Sequence, residues 1–143
     1  FQKNIVDKQQ KAVYSGAFPM STEDPGLILM FGIANMGVDV LDLENSMNLE
    51  IDTMMKELIS EREFEKLQNQ IENDFITANA SMAGIAESLS DYYLYYGGQT
   101  NLVNTELDRY LAVTRKDILV AAKKYLRKEN RVTLHYLPKT DKK

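Results

Sequence analysis

Metal-assisted or nucleophilic chemistry needs histidine, cysteine or well-placed carboxylates, and this sequence holds one histidine, His135, and no cysteine. A protein zinc site usually takes three ligands from His, Cys, Asp or Glu, with His or Cys supplying at least one. His135 has no second histidine beside it. It reads as a surface or interface residue; the competing reading is a ligand or base shared with another segment. An activated nucleophile needs an adjacent base, and His135 is the only histidine available for that role. Glu61, Glu63, Glu65, Glu72 and Asp74 crowd one stretch, and the seven-residue spacing of Glu65 and Glu72 puts both on one helical face. Two carboxylates work as acid and base only when their surroundings split their pKa values. Nothing in this stretch does so, and a solvated helix face is the simpler reading. The Gly97–Gly98 pair lacks the spacing of a phosphate-binding loop and reads as a helix stop. Tyr92, Tyr93, Tyr95 and Tyr96 place four tyrosines in five positions, which must point around most of a helical turn. Some belong to a core and at least one to the surface. The cluster reads first as plain helix packing; because tyrosine joins an apolar ring to a wet hydroxyl, the competing reading is a candidate interface.

The elements that carry these residues follow from periodicity and turn chemistry. Ala12–Met20 reads as a strand, Ser21 to Gly26 as a turn, and the apolar run Leu27–Ala34 as a second strand paired antiparallel with the first. Asp39 is placed to cap a helix bearing Leu43, Met47, Ile51 and Leu58 at helical spacing. Ser60 with Glu63 forms a capping box ahead of Phe64, Leu67, Ile71, Phe75 and Ala78. The pattern weakens over Asn79–Gly84 and resumes from Ile85 until Gly97 and Gly98. A short helix carries Leu102, Leu107 and Tyr110, and Thr114 with Asp117 starts another. Arg131–Leu137 alternates Val132, Leu134 and Tyr136 with Thr133 and His135, which predicts a half-buried strand in the same sheet as the first two. The order implies an α+β fold, helices packed on one face of an antiparallel sheet. Three strands are few for so many helices, so the sheet is expected to be incomplete.

At 143 residues, 44% hydrophobic and 27% charged, the chain has the balance of one globular domain, 1–143. A net charge of −4 gives no general attraction to nucleic acid or anionic lipid. Lys139, Lys142 and Lys143 read as a solvated tail. No apolar run approaches the roughly 20 residues of a membrane span. The sequence opens on Phe1 without an initiator methionine, which reads as a processed product or an excised piece, and no signal peptide is visible.

Three segments, in order, resemble the pitrilysin/insulinase family of zinc peptidases. They are Glu23-Asp24-Pro25-Gly26-Leu27 with the following apolar strand and Gly37-Val38-Asp39; Ser60-Glu61-Arg62-Glu63-Phe64 through Gln70; and Val113-Thr114-Arg115-Lys116-Asp117-Ile118 followed by Ala122-Lys123-Lys124-Tyr125-Leu126 and Glu129-Asn130-Arg131. The resemblance covers nearly the whole chain and implies the second, non-catalytic half of a domain like that of mitochondrial processing peptidase. The family's inverted zinc motif, His-x-x-Glu-His, has no counterpart here, so the resemblance implies no catalytic residue and no metal ligand in this chain. Zinc is expected only in a parent that carries the motif upstream. Some members grip substrate with an Arg and a Tyr. The Arg position falls near Asp7, a reversed charge, and the Tyr position near Val13 or Tyr14, which makes Tyr14 a candidate substrate contact. The implied role is a structural, substrate-enclosing portion of a peptidase-like protein acting on peptides, with a missing upstream half-domain or a homologous peptidase domain as partner. The competing readings are a homo-oligomeric interaction module using the tyrosine cluster and a self-contained hydrolase using His135. A bacterial member would fit the periplasm or cell envelope.

Overall fold

A computed structural model describes residues 1–22 and 24–138. Glu23, in the expected turn, and the tail lysines Lys139, Lys142 and Lys143 lie outside the described residues. The chain divides into two compact units, Phe1–Lys56 with Ala121–Lys143, and Glu57–Val120. The architecture is α+β, with helical cover on a small antiparallel sheet.

In the first unit, β1 (Ala12–Met20) and β2 (Leu27–Ala34) pair antiparallel where the apolar pattern places them, with Ser15 opposite Gly32 and Met20 opposite Leu27. An irregularity at Val13 shifts the register between Ala12 and Tyr14. Such a bulge changes the side-chain phase by one residue, so Ala12 and Ser15 are both buried although three positions apart. The face they share is lined by small residues, and the backbone of a helix can approach it. That helix is α1 (Val40–Lys56): a β-carbon added at Gly32 would lie 3.1 Å from Met47 Sδ and 3.2 Å from Leu43 Cδ2. The Leu41 amide donates to Asp39 Oδ1 at 3.0 Å, the cap expected of that aspartate. Ahead of β1 the chain forms a wide helical turn over Gln2–Lys8, in which the Gln9 amide donates to Asn4 O at 3.0 Å. This turn buries Ile5 completely against Ala12 and Leu43, with Phe1, Val6, Ala34, Val38 and Met47 packed around them. Lys11 Nζ ties the start of β1 to α1 through Asp42 Oδ1 (2.8 Å) and Ser46 Oγ (3.0 Å).

The expected third strand does not form. Among the described residues the sheet has two strands, β1 and β2. The alternation over 131–137 is present, but Val132, Leu134 and Tyr136 are 87%, 72% and 90% exposed. In place of strand pairing, side chains tether the segment to α1 and to Leu126. The Arg131 guanidinium donates to Asn48 Oδ1 and, at 3.1 Å, to Leu126 O, while His135 Nε2 lies 3.0 Å from Glu44 Oε2. Glu44 and Asn48 are one helical turn apart, so the segment is held along α1 with its apolar side chains outward.

The second unit contains α2 (Glu61–Ala78), α3 (Met82–Tyr95) and α4 (Leu102–Leu111), and α5 (Arg115–Tyr125) begins in it. Polar side chains set the helix starts. Ser60 Oγ accepts from the Glu63 amide at 3.3 Å, and Ser81 Oγ from the Gly84 amide at 3.0 Å. The weak stretch Asn79–Gly84 is therefore a break between two helices. α3 ends where Gly97 (φ +62°) and Gly98 (φ +83°) turn left-handed and the Gly98 amide donates to Tyr93 O at 3.0 Å, a Schellman closure. Arg115 joins the starts of α5 and α2 through Ile59 O (2.7 Å) and Glu61 Oε2 (2.5 Å).

The start of α5 carries an acid-sensitive cap. Asp117 Oδ2 accepts from the Thr114 hydroxyl at 2.6 Å and from the Thr114 amide at 2.8 Å. These two bonds hold the carboxyl below its ordinary value of 3.8. A depressed folded pKa contributes stability above the unfolded value and loses it as pH falls through the folded one. The Thr114 and Asp117 amide resonances are therefore expected to move together below the ordinary aspartate range. Asp117→Asn should abolish that transition; an unchanged one would place it elsewhere.

Candidate functional site

Among the described residues no group of three or more His, Cys, Asp or Glu side chains is placed to hold a metal ion. The polar constellation that does form lies wholly in the helical unit. The end of α2 supplies Ile71, Asp74, Phe75 and Ala78, Asn79 follows it, α3 gives Ser88 and Tyr92, and α4 gives Glu106 and Tyr110; together they line a groove of about 400 Å³. Tyr92 is buried at 7% exposure, and its hydroxyl donates to Glu106 Oε2. A buried phenol keeps its proton when a carboxylate receives it. Burial, then the Glu106 bond and charge, push the Tyr92 pKa well above the usual phenol range. Tyr110 is raised as well, by burial and then by Glu106. Glu106 is thus flanked by two neutral tyrosine hydroxyls. The Asn79 amide donates through Nδ2 to Phe75 O at 3.0 Å, which fixes its orientation, and leaves Oδ1 buried without a hydrogen-bond partner among the described residues.

The four clustered tyrosines separate. Tyr92 enters the helical unit and stacks edge-on with Tyr96 at 5.9 Å, while Tyr93, Tyr95 and Tyr96 are exposed. Tyr14 lies on the sheet face opposite α1. Its ring is 5.5 Å from Phe31, and Phe18 meets the same ring at 6.1 Å. With Leu27, Leu29 and Ile33 these side chains leave that face apolar and solvent-facing. Asp7 accepts a bond from Gln2 Nε2 at 3.1 Å, in the N-terminal turn. His135 is occupied by Glu44. Sequence reasoning singled out Tyr92 but not Glu106, Tyr110 or Asn79. The Tyr92–Glu106 separation of fourteen residues has no periodic signature, and only the reversal at Gly97–Gly98 suggests that α4 returns along α3.

No protein-family model matches the sequence, and no curated protein matches it. Solved structures do match. A protease from Helicobacter pylori superposes with a TM-score of 0.79 at 20% identity, over 88% of this chain and 30% of that one. The inactive peptidase domain of a candidate zinc protease from Bordetella parapertussis gives 0.79 at 23% identity, over 94% of this chain and 71% of its own. A candidate zinc protease from Bordetella pertussis Tohama I gives 0.76 at 23% identity, over 92% and 71%. The likeness establishes a shared peptidase-domain fold, of which this chain spans 30% of the Helicobacter protein's length.

Proposed function

We propose that this chain is a non-catalytic portion of a pitrilysin/insulinase-type peptidase domain, a single partial domain whose open sheet face helps to enclose a peptide. One observation carries the reading: α1 covers one face of the β1–β2 sheet, and the other presents Tyr14, Phe18 and Leu29 to solvent around a half-buried Phe31. Apolar patches of this kind mark interfaces or binding surfaces. The solved peptidase domains of the same fold support the context, one of them itself described as inactive. Zinc chemistry then belongs to another segment or a homologous partner chain. Three exposed tyrosines, Tyr93, Tyr95 and Tyr96, favour a second reading as a homo-oligomeric interaction module.

Anisotropy of a fluorescent unstructured peptide, with mass spectrometry of the same mixture after zinc addition, tests the first reading. The peptide should bind and remain intact, with weaker binding to Phe18→Ser. Cleavage abolished by His135→Ala would replace this reading with a self-contained hydrolase.

A further inference from the structure

The groove between α2, α3 and α4 is short of positive charge. Asp74 and Glu106 are both in its lining, and neither forms a salt bridge among the described residues. Arg109 lies near Tyr110 but pairs with neither carboxylate. The Tyr92 proton is already committed to Glu106, so that hydroxyl offers the groove only its lone pairs. Asn79 also lines the groove, and among the described residues its buried Oδ1 has no donor, an arrangement that is costly when left unmatched. Three aromatic rings, Phe75, Tyr92 and Tyr110, complete the walls.

Two unpaired carboxylates and three aromatic rings lining one groove fit one kind of group. A guanidinium is planar, always charged, carries five N–H donors and stacks on aromatic faces. An ammonium offers three donors from one point and no plane to stack. About 400 Å³ is near the lower end for ligand clefts, sized for one side chain rather than a folded partner. We propose that this groove binds the guanidinium of an arginine side chain in a peptide, with Asp74 and Glu106 supplying the charge and the rings a stacking surface. The source of the arginine rests on the peptide-enclosing reading; the guanidinium chemistry does not.

The test is a chemical-shift titration of the isotopically labelled 143-residue chain with a tripeptide bearing a central arginine, its citrulline counterpart and free arginine amide. The arginine peptide should shift the Asn79 side-chain amide and the Tyr92 and Tyr110 ring signals saturably. The citrulline peptide should bind roughly tenfold or more weakly, because charge-assisted bonds are about twice as strong as neutral ones. Asp74→Asn, at an exposed position, should reproduce that loss without disturbing the helices, and Glu106→Gln should do so while still accepting from Tyr92. Equal binding of arginine and citrulline peptides, or shifts that bypass the groove, would overturn the proposal. Arginine amide binding as tightly as the peptide would uphold the guanidinium site and count against the peptide-enclosing reading.

Discussion

Gly84→Ala is expected to destabilise the helical unit by at least about 2 kcal/mol, against the ordinary preference of helices for alanine. Gly84 lies in the first turn of α3, with its amide donated to the Ser81 cap. A β-carbon there would lie 1.8 Å from the Ala78 carbonyl oxygen, 3.1 Å from its carbon and 3.3 Å from Ser81 Oγ. The obstruction is backbone at the end of α2, so no rotamer relieves it. In an open helix the same change would gain up to about 1 kcal/mol. The sign of the effect therefore reports whether α2 and α3 meet as closely as described. Denaturant unfolding followed by far-ultraviolet circular dichroism measures it; an alanine variant as stable as the parent would contradict the close turn.

Ile5→Ala should cost roughly 2–5 kcal/mol and release the N-terminal turn from the sheet. Among the described residues Ile5 is the one side chain at 0% exposure, and its buried neighbours are Ala12 and Leu43. A core this small has little capacity to collapse around a void, and the turn has no other fully buried anchor. Amide exchange in β1 should rise along with the loss of stability. Met36→Ala, at 97% exposure, provides the control and should stay within about 0.5 kcal/mol of the parent. Equal stability of the two variants would remove Ile5 from the core.

Features governed by neighbours in sequence could be read directly. The strand pair, the Asp39 and Ser60 caps, the Gly97–Gly98 stop and the Thr114–Asp117 start all depend on residues within a few positions of one another. The segment 131–137 forms no strand because alternation specifies two faces but not a partner strand, and Arg131 and His135 have their partners on α1 instead. The apolar stripe of α2 predicts its helix correctly, yet none of its residues is buried, since covering a stripe depends on elements remote in sequence. The groove shows the same limit. Tyr92 stood out by its neighbours, whereas Glu106, Tyr110 and Asn79 acquire meaning only when three helices converge. Gly84 looked like an ordinary weak spot because its close approach to Ala78 spans the break between two helices.

On the proposed reading, this chain carries one portion of a peptidase-type domain, and strands outside it complete the β1–β2 sheet. Amide hydrogen exchange at Val132, Leu134 and Tyr136 in the monomeric chain tests this most directly. These residues have an alternating pattern, no place in the sheet and outward apolar side chains. An extended segment without a neighbouring strand cannot shield its amides. All three should exchange at near-random-coil rates while the paired amides of β1 and β2 stay protected, and 131–137 should gain protection once a complementary half-domain is supplied. Strong protection of Val132, Leu134 and Tyr136 in the isolated monomer would show that the chain closes its own sheet, and would contradict the account.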